Sequence, residues 1–131
     1  MLKELQSFKG SDMNTAQTIL LVEDEPLLRE VTSEDLQDFG FEVVTASDGA
    51  QAVEVLESGQ ALAAMVTDIR MPGPYDGWGL AHRARELRPD LPIVYLSGYS
   101  EASSPVEGAV LVNKPYRPQE LSDALGSVGV R

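Results

Sequence analysis

A doubly wound α/β domain, with a parallel sheet covered by helices on both faces, is the fold this sequence predicts, on three observations. Short β-rich runs recur along the chain: "TILLVE" (18–23), "FEVVTA" (41–46), "AAMVTD" (63–68), "PIVYLS" (92–97) and "AVLVN" (109–113). Amphipathic stretches with helical spacing separate most of them. The runs are apolar on both faces instead of alternating, which marks strands buried from above and below. Right-handed crossovers then wind the helices onto both sides of the sheet.

Each element has a local reason. The first run ends abruptly in Glu23, Asp24 and Glu25, and Pro26 follows, a residue suited to the first turn of a helix. The stretch Pro26–Phe39 repeats Leu27, Leu28, Val31, Leu36 and Phe39 at helical intervals. Gly49–Glu57 does the same with Ala50, Ala52, Val53 and Leu56, and Gly77–Leu87 with Trp78, Leu80, Ala81, Ala84 and Leu87. The last stretch, Pro118–Leu125, meets Gly126, a helix-stop signal. Between the fourth and fifth strands "GYSEASSPVEGAV" offers glycines, serines and a proline but few helix formers, so residues 99–107 are expected to form a loop or frayed turn, more mobile than the rest of the domain. Residues 1–17 do not fit the alternation. Leu2, Leu5 and Phe8 have helical spacing, but "GSDMN" breaks it, and the segment reads as a tether or the tail of a preceding element ahead of a domain over 18–128.

Composition narrows the function. At 131 residues the chain suffices for one domain with a real core. There is no cysteine, which excludes disulfides and thiolate metal sites. No apolar run is long enough to span a bilayer and no signal-peptide pattern is present, so a cytoplasmic protein without membrane insertion is expected. A formal charge of −11 argues against nucleic acid as a partner, because phosphate backbones recruit Lys and Arg clusters.

In a doubly wound fold, ligands bind at the carboxyl ends of the strands. Those ends carry Glu23 and Asp24 on the first strand, Asp68 on the third, Ser97 on the fourth and Lys114 on the fifth. Three converging carboxylates and one lysine leave a net negative site that a divalent cation would neutralise. Oxygen ligands without His or Cys favour Mg²⁺, with Mn²⁺ as a substitute. A metal, a carboxylate nucleophile, a hydroxyl and a cation are together the parts needed to accept a phosphoryl group on an aspartate.

The segments "LLVEDEP", "VTDIRMPGPYDGWGL", "PIVYLSGY" and "NKPY", in order at these strand ends, resemble the receiver domain of two-component response regulators. The resemblance covers Thr18 to Val128 and implies a flavodoxin-like, five-stranded sheet in the order 2-1-3-4-5. It implies Asp68 as phosphoacceptor, Asp24 as a direct Mg²⁺ ligand, Glu23 as an acidic-pocket member acting through water, and the Arg70 carbonyl as a further metal ligand. Ser97 would bond a phosphoryl oxygen and Lys114 would neutralise its charge, with a cis peptide common at Lys114-Pro115. The implied partners are a histidine kinase or histidine phosphotransfer domain and a downstream protein, on a monomer or weak dimer. With no output domain after the last helix, the expectation is a stand-alone regulator or the receiver portion of a hybrid sensor kinase.

Three features depart from the common receiver pattern. Leu111 stands where an aromatic switch residue is expected, so rotation of a buried ring there cannot be the output. The loop "PGPYDG" carries one residue more than the common form, and the interval from Ser97 to Lys114 is several residues short. "PIVYLSGY" is similar to the strand of a subfamily whose fourth helix is reduced or absent. Other functions fit less well. An aspartyl phosphohydrolase would place an acid–base Asp where Arg70 stands, and "EDEP" replaces the glycine-rich turn of a dinucleotide site. A degenerate receiver that binds partners without phosphorylation is the alternative that Leu111 supports. His82, alone on a charged helix, reads as solvated, and Trp78 as packing for the third helix.

Overall fold

A computed structural model of the chain describes residues 17–98 and 105–130. In chain order the elements are β1 (Thr18–Val22), α1 (Pro26–Asp38), β2 (Glu42–Ala46), α2 (Gly49–Glu57), β3 (Ala64–Asp68), α3 (Gly77–Leu87), β4 (Ile93–Ser97), β5 (Val110–Asn113) and α4 (Pro118–Ser127). The strands form one five-stranded sheet in the order β2-β1-β3-β4-β5. All four pairings are parallel.

Successive strand residues point to opposite faces, and each face has its own core. Leu20 and Val22 of β1, Met65 of β3 and Ile93 and Tyr95 of β4 pack beneath α2 and α3, with Ala52, Leu56, Leu80, Ala81 and Ala84. Ile19 and Leu21, Val66, Val94 and Leu96 pack against α1 and α4 through Leu36, Leu121, Ala124 and Leu125. This two-sided burial is why β1, β3 and β4 read as unbroken apolar runs. Helix starts follow capping chemistry: Asp48 accepts the Gln51 N–H at 2.8 Å and Asp76 the Gly79 N–H at 2.8 Å. Glu25, the last of the three consecutive carboxylates, accepts the Leu27 N–H at 3.3 Å and caps α1.

Two expectations change. Most of the apolar pattern of Pro26–Phe39 lies off the core: Leu27 is 65% exposed, Val31 47%, Leu28 44% and Phe39 37%, and of the five only Leu36 is buried, with Thr32 beside it on α1. A narrow inward stripe is enough, because α1 covers only one side of the sheet's edge. The last helix runs through Gly126 to Ser127. It stops where Gly129 takes φ 92°, with Val130 N–H donating to Leu125 O at 2.9 Å and the Val130 side chain buried. That arrangement is a Schellman turn, and it needs the left-handed residue three positions later than Gly126.

Between β4 and β5 the described residues, 98 and 105–109, hold no helix. The loop expected over 99–107 falls for residues 99–104 outside the described residues, as does the N-terminal segment 1–16. Val106 is buried and donates its N–H to the Tyr95 hydroxyl at 3.1 Å, tying the far end of that connection to β4. Among the described residues no helix is long and apolar enough to cross a membrane.

Candidate functional site

Because the strands are parallel, their carboxyl ends gather at one edge of the sheet. Register sets the neighbours there: Val22 pairs with Thr67, Asp68 with Leu96, and Ser97 with Asn113. Glu23 and Asp24, just past β1, therefore face Asp68 at the end of β3. One carboxylate oxygen from each of Glu23, Asp24 and Asp68 lies within 4.8 Å of the others. Glu23 is 1% exposed and Asp68 9%, whereas Asp24 is the more open to solvent.

The Lys114 ammonium lies 3.3 Å from Glu23 Oε1 and 3.3 Å from Asp68 Oδ1, bridging the two buried acids. Backbone donors supply the rest. Glu23 Oε2 accepts the Glu25 N–H at 3.1 Å, and Asp68 Oδ1 the Ile69 N–H at 2.8 Å. Lys114 N–H in turn donates to Ser97 O at 2.6 Å, joining β5 to β4 at this edge, and the Lys114-Pro115 peptide is cis. Ser97 is buried at the end of β4, one residue beyond the Asp68–Leu96 pair. Arg70 is exposed and lines, with Ile69, Met71, Pro72 and Asp76, a surface cavity of about 460 Å³ beside Asp68.

The electrostatics are not balanced by the protein alone. Burial is the main cause that pushes the Glu23 carboxyl above its ordinary 4.5, and the Asp68 charge adds to it. The Glu25 N–H and Lys114 oppose the shift without cancelling it. Burial alone would lower the Lys114 ammonium, yet attraction to Glu23 and Asp68 outweighs this and raises it. The cation is therefore held firmly, and three carboxylates against one lysine leave the site net negative. A divalent ion coordinated by oxygen would remove the excess, and the donor set of Glu23, Asp24 and Asp68 fits Mg²⁺.

A pH dependence follows in the metal-free protein. A carboxyl raised by folding destabilises the fold when ionised, so its penalty is absent below 4.5 and complete above its folded value. Relative to Glu23→Gln, the wild type should therefore gain stability as pH falls from about 7 to about 5. Urea unfolding in chelator at the two pH values checks this; equal slopes in both proteins would remove Glu23 as the strained group.

Other residues complete the site without any sequence signal. Gly77, the first residue of α3, donates its N–H to Ile69 O at 2.7 Å and packs against the Asp68 backbone, so the helix start sets the position of Asp68. The Thr32 and Tyr116 hydroxyls bond at 2.9 Å, joining α1 to the loop after Lys114. Arg29 donates to Glu23 O at 2.8 Å. His82 is exposed on α3 and Trp78 packs on Tyr95, ring centroids 4.6 Å apart. Leu111 is 41% exposed and in register with Tyr95, so the aromatic ring at this level of the sheet is on β4 and buried.

Comparison with known proteins bears on the same residues. The family model of the response regulator receiver domain matches residues 19–126. The crystal structure of a response regulator receiver protein from Sinorhizobium medicae is 42% identical with a TM-score of 0.81, covering 86% of this chain and 94% of that one. The response regulator TrrA of Thermotoga maritima, solved in complex with Mg²⁺-BeF, is 33% identical with a TM-score of 0.77, covering 86% of this chain and 98% of that one. The sensor kinase CckA of Brucella abortus is 36% identical over 100 residues, which is 76% of this chain and 10% of the kinase. The chain spans about half or less of the length of the curated relatives it matches. With the family match running from β1 into α4 and the sheet in the order that the resemblance implied, the chain belongs to the response regulator receiver domain family of two-component systems.

Proposed function

We propose that this domain accepts a phosphoryl group on Asp68 from the phosphohistidine of a partner histidine kinase or phosphotransfer domain, as part of a phosphorelay in the cytoplasm. The observation that carries this reading is the convergence of three carboxylates within 4.8 Å under a single lysine. Asp24 and Asp68 would hold Mg²⁺ directly, the Arg70 carbonyl would join them, and Glu23 would act through water. The ion supplies positive charge against which an incoming phosphoryl anion can approach the acids. TrrA, at 33% identity, was solved in complex with Mg²⁺-BeF.

Asp68 Oδ1 carries the Ile69 N–H and Lys114, which leaves Oδ2 to attack phosphorus in line. The new O–P bond forms as the P–N bond to the imidazole breaks; the departing ring nitrogen keeps the electron pair. Lys114 then exchanges part of its attraction to Asp68 for the phosphoryl oxygens, and the Ser97 hydroxyl donates to one of them. Residues 18–128 act as the receiver unit and 1–17 as a tether, in a monomer or weak dimer. The alternative, a binding module that works without phosphorylation, draws on Leu111, since no aromatic ring stands there to report the modification.

Incubation with acetyl phosphate and Mg²⁺ tests the proposal by intact mass. The wild type should gain one phosphoryl group, and Asp68→Asn none. A label mapped to Glu23, Asp24 or His82 overturns the assignment, and an unlabelled wild type favours the phosphorylation-independent module.

A further inference from the structure

We infer that Arg29 is a positioning residue for the acidic site: its guanidinium holds the Glu23–Asp24 peptide in the orientation that presents Asp24 to a divalent cation. The inference rests on the metal-dependent reading above. Arg29 is half-buried on the first part of α1 and donates from one guanidinium nitrogen to Glu23 O at 2.8 Å.

The location of that carbonyl gives the contact its meaning. Glu23 N–H, one residue past the end of β1, still pairs at 3.1 Å with the carbonyl of Ala46, the last residue of β2. In a parallel strand the N–H and C=O of one residue point toward the same neighbour, so Glu23 O is directed to where β2 has already ended. Arg29 takes the place of the missing ladder partner. The Glu23 carbonyl and the Asp24 N–H belong to one rigid peptide plane. Fixing the oxygen therefore fixes the direction in which the chain enters Asp24, the most exposed of the three acids. Glu23 is anchored separately, through Lys114 and the Glu25 N–H.

Arg29 is also in a poor place for the helix. It is the fourth residue of α1, near the positive end of the helix dipole, where an acidic residue would be favoured, and α1 has no acid in its first turn. A cation that opposes local helix electrostatics while contacting the chain beside a candidate metal ligand is a local rule broken at a functional site.

The charge and the contact of Arg29 act on metal affinity with opposite signs. As a charge, Arg29 repels a cation, so removing it would tighten Mg²⁺ binding. As a positioning group, removing it should weaken Mg²⁺ binding about tenfold, the lower end of the effect of losing a group that orients a metal ligand. The test measures Mg²⁺ dissociation constants by calorimetry for the wild type, Arg29→Ala, Arg29→Lys and Asp24→Asn, with metal-free melting temperatures and the Asp24 amide resonance by NMR. The expected result is weaker binding in Arg29→Ala, partial recovery in Arg29→Lys through its one ammonium nitrogen, a shifted Asp24 amide in metal-free Arg29→Ala, and a metal-free melting temperature close to wild type. Equal or tighter binding in Arg29→Ala overturns the inference. So does a drop in metal-free melting temperature with an unchanged dissociation constant, which is a structural role only. Should Arg29→Ala not fold, Arg29→Met, which keeps the apolar stem and removes the donor and the charge, decides, since unchanged affinity and an unshifted Asp24 amide in that variant likewise overturn it. A wild type without Asp24-dependent Mg²⁺ binding removes the metal-dependent reading itself, and this inference with it.

Discussion

Lys114→Ala should destabilise the metal-free protein by about 2–3 kcal/mol, and millimolar Mg²⁺ should restore most of that loss. The lysine is the single cation within ion-pair distance of both Glu23 and Asp68 among the described residues, at 3.3 Å from each. Removing one partner of a buried ion pair commonly costs ~3–5 kcal/mol, because the other charge is left uncompensated. The Lys114 side chain is 23% exposed, and water reaching the site lowers that figure. A divalent cation among the same carboxylates supplies the missing charge and binds only the folded form, so it stabilises by mass action. Urea unfolding with and without Mg²⁺ measures both quantities. An equal loss under the two conditions would show that the metal and the lysine do not serve the same acids. On the proposed reading the variant also binds Mg²⁺ more tightly than the wild type, as that restoration requires, but takes up phosphoryl from acetyl phosphate poorly.

Gly77→Ala should cost about 3 kcal/mol or prevent folding, toward or beyond the upper end of what overpacking a core commonly costs. A Cβ at this position would run into the Asp68 carbonyl oxygen and lie 2.6 Å from Ile69 Cα. Both are backbone atoms at the end of a central strand, so no side chain can rotate away. Relief requires moving α3 off β3 or displacing Asp68, and the second route should also lower phosphorylation of any folded fraction. Gly98→Ala is the control: nothing lies within 4 Å of its Cβ position, and its stability should be near wild type. Thermal melts of the two variants decide the matter, and a wild-type melting temperature for Gly77→Ala would show that the helix start does not brace the strand.

Much of the fold was legible because two-sided burial leaves a plain trace. The runs at β1, β3 and β4 are apolar at consecutive positions, and each is buried on both faces in the structure. The same logic located the acids, since parallel strands bring their carboxyl ends to one edge whatever the intervening lengths. Glu23, Asp24, Asp68, Ser97 and Lys114 were therefore readable as one group before any geometry was known.

Where local patterns failed, a distant contact had outcompeted them. The periodicity of Pro26–Phe39 suggested a broad apolar face, yet Leu27, Leu28 and Val31 are exposed, and of that pattern Leu36 alone joins the core over the sheet, while Thr32 is buried against Tyr116. Gly126 looked like a helix stop, but burial of Val130 draws the turn to Gly129. The consecutive acids Glu23, Asp24 and Glu25 are alike in sequence and distinct in space. Strand β1 carries the first into a buried ion pair, the turn leaves the second open to solvent, and the third caps a helix.

By itself, then, the sequence determined the sheet, its connections and the set of charged residues at its functional edge, since these follow from periodicity and chain direction. Only the tertiary structure decided how those charges are balanced. Lys114 reaches Glu23 across 91 residues of sequence separation, Gly77 braces Asp68 through backbone atoms, and Arg29 closes a carbonyl that its own strand leaves unpaired. Such contacts depend on where elements from different parts of the chain come to rest against one another, and neither spacing nor residue type along the chain encodes that.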